Sequence, residues 1–125
     1  MTSQRPRILV VEDEPLIALF VEELLDDLNC ECVGPIKDLS NAMQIAGNGS
    51  FDAAILNLVI DGKNAYSVAE ALAARGIPFA FASGVPHGEF EAQWRDRPHL
   101  AKPYGLEDVR LLVMKLLATG AGTRH

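Results

Sequence analysis

Polar side chains that could bind a cation and a phosphoryl group follow four short apolar runs of the chain. They are Glu12, Asp13, Asn57, Ser83 and Lys102. Carboxylate and amide oxygens are ligands that Mg²⁺ accepts, while a hydroxyl and an ammonium group can bind phosphoryl oxygens. If the runs are parallel strands of one sheet, their carboxyl ends lie at the same edge and these side chains meet there. The sequence therefore predicts a site for a divalent cation and a phosphoryl group.

The elements that must position these side chains are five short strands. The runs cover residues 7–11, 31–36, 53–59, 78–82 and 100–101. The third run is almost wholly apolar, which is typical of a central parallel strand that is covered on both faces.

Amphipathic spacing predicts helices between and after these strands. They cover residues 15–28, 39–46, 66–75 and 106–117, with two helical turns around 90–94 and a frayed tail over 119–125. Strands and helices alternate along the chain with short connections. This pattern predicts an α/β fold with one doubly wound, five-stranded parallel sheet and helices on both faces.

Length and composition indicate one domain over residues 1–125, with its core at about 6–118. Of 125 residues, 49% are hydrophobic, and the net charge is −6, which argues against direct binding to DNA or to an anionic membrane. Cys30 and Cys32 lie one residue apart, so reduced thiols are favoured over a disulfide or a zinc site. With no signal peptide and no membrane-spanning run, a cytoplasmic protein is expected.

Four segments resemble the receiver domain of two-component response regulators, the CheY-like family. They are residues 8–14, 54–58, 82–84 and 102–104, and the resemblance extends over about residues 6–118. The run 79–84 further resembles a subgroup of alphaproteobacterial single-domain receivers. The resemblance implies a flavodoxin-like sheet of order 2-1-3-4-5 and signalling in a phosphorelay through protein contacts. It also implies two kinds of partner: a sensor histidine kinase or phosphotransfer protein upstream, and a downstream protein partner.

The resemblance assigns roles to the residues at the strand ends. Those that it implies for Mg²⁺ are Glu12, Asp13, Asn57 and the backbone carbonyl of Val59. It implies contacts to the phosphoryl group by Ser83 and Lys102, and it places Ser83 and His99 at the switch positions. His99 stands where the family has an aromatic residue, so a Tyr or Phe rotamer switch is not expected, and an ordinary surface histidine is the simpler interpretation.

Asn57 occupies the phosphoacceptor position, where the family has Asp. The amide nitrogen delocalises its lone pair into the carbonyl group, so Asn57 cannot form a stable acyl phosphate. The loss of one negative charge also weakens the expected binding of Mg²⁺. Two explanations stay open: a natural receiver that works without phosphate, and an engineered block of a phosphorylatable parent.

A second class of function is a small Mg²⁺-dependent phosphoryl-transfer enzyme or a flavodoxin-like cofactor-binding module. The sequence offers no nucleophile for the enzyme, and no Gly-rich phosphate loop follows the first strand. We therefore predict no catalytic residue and favour a protein that is not an enzyme.

The last helix carries more apolar residues than one buried stripe needs. The inner stripe is predicted to contain Leu106, Val109, Leu112, Val113 and Leu116, while Leu111, Met114 and Leu117 lie partly outside it. This surplus suggests a homodimer or another partner surface. No output domain follows the helix, so output by protein contact is expected.

Overall fold

A five-stranded parallel sheet forms the centre of the fold. The computed structural model describes residues 5–123, apart from the side chains of residues 87 and 120–123. The strands are β1 (Arg7–Val11), β2 (Glu31–Ile36), β3 (Ala53–Asn57), β6 (Phe79–Ser83) and β7 (His99–Ala101). Their order in the sheet is β2-β1-β3-β6-β7, and every pair is parallel. Counted among themselves, these strands have the predicted order 2-1-3-4-5.

Helices cover both faces of the sheet, as predicted. They are α1 (Pro15–Asp27), α2 (Leu39–Asn48), α3 (Tyr66–Ala74) and α4 (Leu106–Thr123). Alternate residues of the strands point to opposite faces, so Leu9 and Leu56 pack with α2 and α3, whereas Ile8 and Ile55 pack with α1 and α4. All residues of β3 and β6 are buried, because both strands lie inside the sheet and beneath helices.

A small hairpin follows β3 and was not predicted. It pairs β4 (Val59–Ile60) with β5 (Lys63–Asn64) in antiparallel fashion. Its turn is Asp61–Gly62, and both residues have positive φ angles, 52° and 78°. Such angles match a tight hairpin turn, for which Asp-Gly is a favoured sequence. The prediction that β3 runs on to Val59 is wrong, because the chain turns after Asn57 to form this hairpin.

The connection from β6 to β7 contains no α-helix, so the two helical turns predicted around 90–94 are wrong. Two 3₁₀ turns take their place, at His87–Glu89 and Ala92–Trp94. Prolines at 86 and 98 and glycines at 84 and 88 interrupt this short stretch, and they disfavour a continuous helix. Phe90 and Trp94 are buried, and their rings pack on Phe81.

Helix α4 is longer than predicted. It continues past Leu117 to Thr123, because no proline follows to stop it. The tail from 119 is thus helical as far as the description reaches, while residues 124 and 125 lie outside it. No helix in residues 5–123 is long and apolar enough to cross a membrane.

The apolar surplus of α4 is partly exposed. Leu111 and Met114 are 54% and 57% exposed, as predicted, while Leu117 packs against the core. Leu106 was assigned to the inner stripe, and this is wrong: it is the first residue of the helix and is 44% exposed.

Candidate functional site

The predicted site residues lie at the carboxyl edge of the sheet, which we call the rim. Asn57 ends β3 and Ser83 ends β6, while Glu12 follows β1 and Lys102 follows β7. The register of the strands places Asn57 and Ser83 at nearly the same height along the sheet, since Asn57 pairs with Ala82, the neighbour of Ser83. Parallel strands place all of these residues on one side of the sheet, as the sequence predicts.

The Asn57 side chain lies at the centre of the rim. Its Nδ2 atom donates to the Val59 carbonyl at 2.8 Å. The same atom is 3.3 Å from Glu12 Oε2 and 3.4 Å from Asp13 Oδ1. Asn57 therefore contacts each of the three other groups that the sequence assigned to a cation.

Glu12 is a buried carboxylate, 3% exposed. Its Oε2 atom accepts a hydrogen bond from the Glu14 backbone N–H at 3.0 Å, and its Oε1 atom forms an ion pair with Lys102 Nζ at 3.5 Å. Burial raises the pKa of the Glu12 carboxyl group above its usual value, although the Glu14 N–H and the Lys102 charge oppose this shift. Lys102 is thus linked to Asn57 through the Glu12 carboxylate.

Asp13 is held by the hairpin. Its Oδ2 atom accepts a hydrogen bond from the Asp61 backbone N–H at 2.9 Å, while Oδ1 faces Asn57. Asp61 was not among the residues predicted for the site, and its contact with Asp13 was not expected. The Asp-Gly pair was the available signal, because it favours a tight hairpin that can return the chain toward the rim.

Ser83 and His99 are placed differently from the carboxylates. The Ser83 hydroxyl accepts a hydrogen bond from the Val85 N–H at 2.9 Å and so shapes the start of the β6–β7 connection. His99 pairs with Phe81, two residues before Ser83, and its ring packs edge-on against Phe90 at 5.1 Å. It is half-buried within β7, so the interpretation as an ordinary surface histidine is wrong, and it lies below the rim rather than in it.

Tyr104 lies near Glu12 of the rim. Burial and the charge of Glu12 raise the pKa of its phenol group to about 12. Its ring lies 6.3 Å from that of Phe20 on α1. The phenol is thus neutral at physiological pH, and an apolar strip continues from the rim onto α1.

Mg²⁺ takes six oxygen ligands at about 2.1 Å, and the rim offers only part of such a set. Glu12, Asp13 and the Val59 carbonyl supply oxygens, but Asn57 presents N–H hydrogens toward all three. Among the residues that the structure describes, no three His, Cys, Asp or Glu side chains form a group that could hold a metal. This arrangement does not fit a bound cation unless the Asn57 amide turns over to offer Oδ1.

Comparison with known proteins identifies similar structures. No family model and no curated protein matches the sequence. The solution structure of SdrG from Sphingomonas melonis Fr1 is 40% identical over 96% of this chain and 99% of that one, with a TM-score of 0.77. A response regulator receiver protein from Sinorhizobium medicae WSM419 is 19% identical over 94% and 98%, with a TM-score of 0.80. The receiver domain of the sensor histidine kinase PA1611 from Pseudomonas aeruginosa PAO1, which has magnesium coordinated in its active-site cleft, is 19% identical over 92% and 99%, with a TM-score of 0.76.

Proposed function

Because the chain belongs to the response-regulator receiver domains of two-component signal transduction, we propose that it signals through protein contacts without phosphorylation at position 57. The identity of that residue carries the proposal. Asn57 ends β3 at the centre of the rim, where a receiver needs a carboxylate oxygen to attack phosphorus. The family assignment favours this function over a phosphoryl-transfer enzyme or a flavodoxin-like cofactor module.

The chemistry of the Asp and Asn side chains explains why phosphorylation is expected of a receiver with Asp and not of this chain. In a phosphorylatable receiver, a carboxylate oxygen forms a bond to phosphorus while the bond from phosphorus to the donor breaks. The Asn57 amide has no carboxylate oxygen to offer, and its nitrogen is already a donor to Val59.

Intact mass after incubation with Mg²⁺ and a small phosphodonor tests this proposal. The unaltered chain is expected to gain no mass, whereas Asn57→Asp gains one phosphoryl group. Asn64→Asp adds the same charge on the exposed strand β5 and should gain nothing. A phosphoryl adduct at position 57 of the unaltered chain would overturn the proposal.

We assign the remaining rim residues by their chemistry. Ser83 and Lys102 would contact a phosphoryl group in Asn57→Asp, since a hydroxyl and an ammonium group can bind its oxygens. Ser83 and His99 would act as the switch, because Ser83 holds Val85 and His99 packs on Phe90 in the connection that must change. Glu12, Asp13, Asn57 and the Val59 carbonyl would hold Mg²⁺ only after the Asn57 amide turns its Oδ1 toward the cation, and therefore more weakly than in a receiver with Asp.

The upstream partner would dock on α1. Leu16, Leu19 and Phe20 are 81%, 52% and 41% exposed, and Phe20 lies against Tyr104 at the side of the rim. A sensor histidine kinase or phosphotransfer protein could cover this patch while it presents its phosphohistidine to the site.

Docking can be separated from chemistry in the Asn57→Asp background. Adding Leu16→Glu should abolish transfer from the phosphorylated partner, while a small phosphodonor still labels the chain. Met43→Glu introduces the same charge at an exposed position of α2 and should leave both reactions unchanged. Equal loss with both donors would contradict a docking role for Leu16.

The output would also be a protein contact, to a downstream partner or to a second copy of this chain. The exposed part of α4 suits a second copy, because Glu107 and Lys115 lie at equal distances on either side of Leu111. A twofold axis at Leu111 would pair two antiparallel α4 helices and set Glu107 against Lys115 of the second copy.

We also propose a cytoplasmic location, since the free thiols of Cys30 and Cys32 suit a reducing compartment. At a net charge of −6 we expect no direct binding to DNA or to a membrane.

A further inference from the structure

We propose that the Asn57 amide takes over the cross-linking role of a cation, so that the rim and the β4–β5 hairpin hold their arrangement without a metal ion. Three oxygens that would otherwise share a positive ion, from Glu12, Asp13 and Val59, converge on a single nitrogen, Asn57 Nδ2. Asn57 is thus a positioning residue.

The orientation of the amide follows from its neighbours. The Val59 carbonyl, 2.8 Å away, can only accept a hydrogen bond, and an ionised carboxylate can only accept one as well. With Oδ1 in that position, lone pairs would face lone pairs at hydrogen-bond distance. The nitrogen must therefore face the three oxygens.

The geometry also shows how two hydrogens serve three acceptors. One N–H makes the short bond to Val59, and the second is shared by Glu12 and Asp13, whose oxygens lie 3.3 and 3.4 Å away. The amide dipole thereby places partial positive charge between two carboxylates that would otherwise repel each other. This is the electrostatic effect of a cation, supplied by the chain itself.

The contacts of Asn57 extend to the hairpin from two sides. Its bond to Val59 fixes the first residue of β4, and its contact with Asp13 orients the carboxylate that binds the Asp61 N–H at 2.9 Å. The turn of the hairpin is thereby connected to the end of β1. A metal ion could enter only if these hydrogen bonds were broken.

This inference rests on the proposed function for the identity of the site, but it concerns the metal and not the phosphoryl group. An adduct on the unaltered chain would overturn the proposed function and leave the cross-link untouched. A strong response of the unaltered chain to Mg²⁺ would overturn the cross-link and leave the missing acceptor untouched.

The experiment compares the full chain with Asn57→Asp, each in EDTA and in millimolar Mg²⁺. It measures the thermal midpoint and the hydrogen exchange of the Asp61 N–H. The midpoint of the unaltered chain should not move with Mg²⁺. Asn57→Asp should melt roughly 5–10 °C lower in EDTA, exchange the Asp61 N–H about tenfold faster, and recover both values when Mg²⁺ is added.

Asn64→Asp is the matched control. It adds the same charge to the same hairpin, and Asp keeps the side-chain oxygen that accepts from the Tyr66 N–H. It should respond to Mg²⁺ as the unaltered chain does. The inference is overturned if Mg²⁺ raises the midpoint of the unaltered chain, or if Asn57→Asp in EDTA keeps both the midpoint and the Asp61 protection of the unaltered chain. The arm on the unaltered chain decides the matter even if the variant does not fold.

Discussion

Glu12 shows how the rim balances charge at the level of single residues. Its carboxylate is 3% exposed, and the Lys102 side chain, 23% exposed, supplies the opposite charge at 3.5 Å. A buried ion pair gains little over an apolar pair, but removal of one partner leaves an uncompensated charge inside the protein. Lys102 is therefore needed for stability even in a chain that receives no phosphoryl group.

A double-mutant cycle measures this coupling. Lys102→Met should lower the free energy of unfolding by about 2 kcal/mol, because Glu12 loses its buried counter-charge. In the Glu12→Gln background the same change should cost less by about 1 kcal/mol, since a neutral amide needs no cation. Chemical denaturation in EDTA gives all four values.

A surface lysine provides the control for that cycle. Lys115→Met removes a charge from the exposed side of α4 and should change the free energy of unfolding by less than about 0.5 kcal/mol in either background. Equal costs of Lys102→Met in both backgrounds would show that the two side chains do not interact.

At the scale of elements, Arg75 connects two helices on one face of the sheet. It follows α3, and its guanidinium donates to the carbonyls of Ala46 and Gly49 at 2.7 and 2.8 Å. These acceptors lie at the C-terminal end of α2, where helical carbonyls lack partners within the helix. The guanidinium also lies 5.5 Å from the centre of the Phe51 ring.

We predict that Arg75→Ala lowers the free energy of unfolding by about 1–2 kcal/mol, because two charge-assisted hydrogen bonds are lost. Arg75→Lys should recover part of this loss, since an ammonium group cannot bind both carbonyls in the same fork. Urea denaturation is the measurement. Lys63→Ala, on the exposed strand β5, is the control, and an equal effect of both alanine variants would disprove the capping role.

The elements also show how far the sequence predicts this fold. The sheet and the four helices could be predicted from the sequence, because a strand buried on both faces is apolar throughout and a helix buried on one face has apolar residues at helical spacing. The hairpin and the 3₁₀ turns show no such pattern. They depend on turn residues such as Asp61 and on where Phe90 and Trp94 pack. The conformation of such segments is determined by tertiary packing.

The candidate site divides in the same way. Glu12, Asn57 and Lys102 could be placed at the rim because each lies at or just after the end of an apolar run. The direction of the Asn57 amide could not be predicted, because it depends on the path of the chain back to Val59. The contact of Asp13 with the Asp61 N–H depends on the same turn.

At the scale of the whole molecule, the exposed apolar patches of α1 and α4 lie on the same side of the sheet. Helices α1 and α4 both pack on the face that contains Ile8 and Ile55. Leu16 and Phe20 lie on α1, while Leu111 and Met114 lie on α4. A partner on α1 and a second copy on α4 would therefore be neighbours on this face.

The oligomeric state tests the α4 part of this arrangement. A dimer of two 13.5 kDa chains is expected, and Leu111→Glu with Met114→Glu should convert it to a monomer, because charge would be buried at the centre of the interface. Sedimentation equilibrium at several concentrations is the measurement. Leu16→Glu places the same charge on the exposed patch of α1 and should leave the dimer intact. Loss of the dimer with this variant would rule out pairing through α4, and so would an unaltered chain that is strictly monomeric.

Charge reversal tests the antiparallel arrangement. Reversal of Glu107 or Lys115 alone should weaken the dimer, whereas reversal of both together should preserve it, since antiparallel pairing about Leu111 sets these charges against each other.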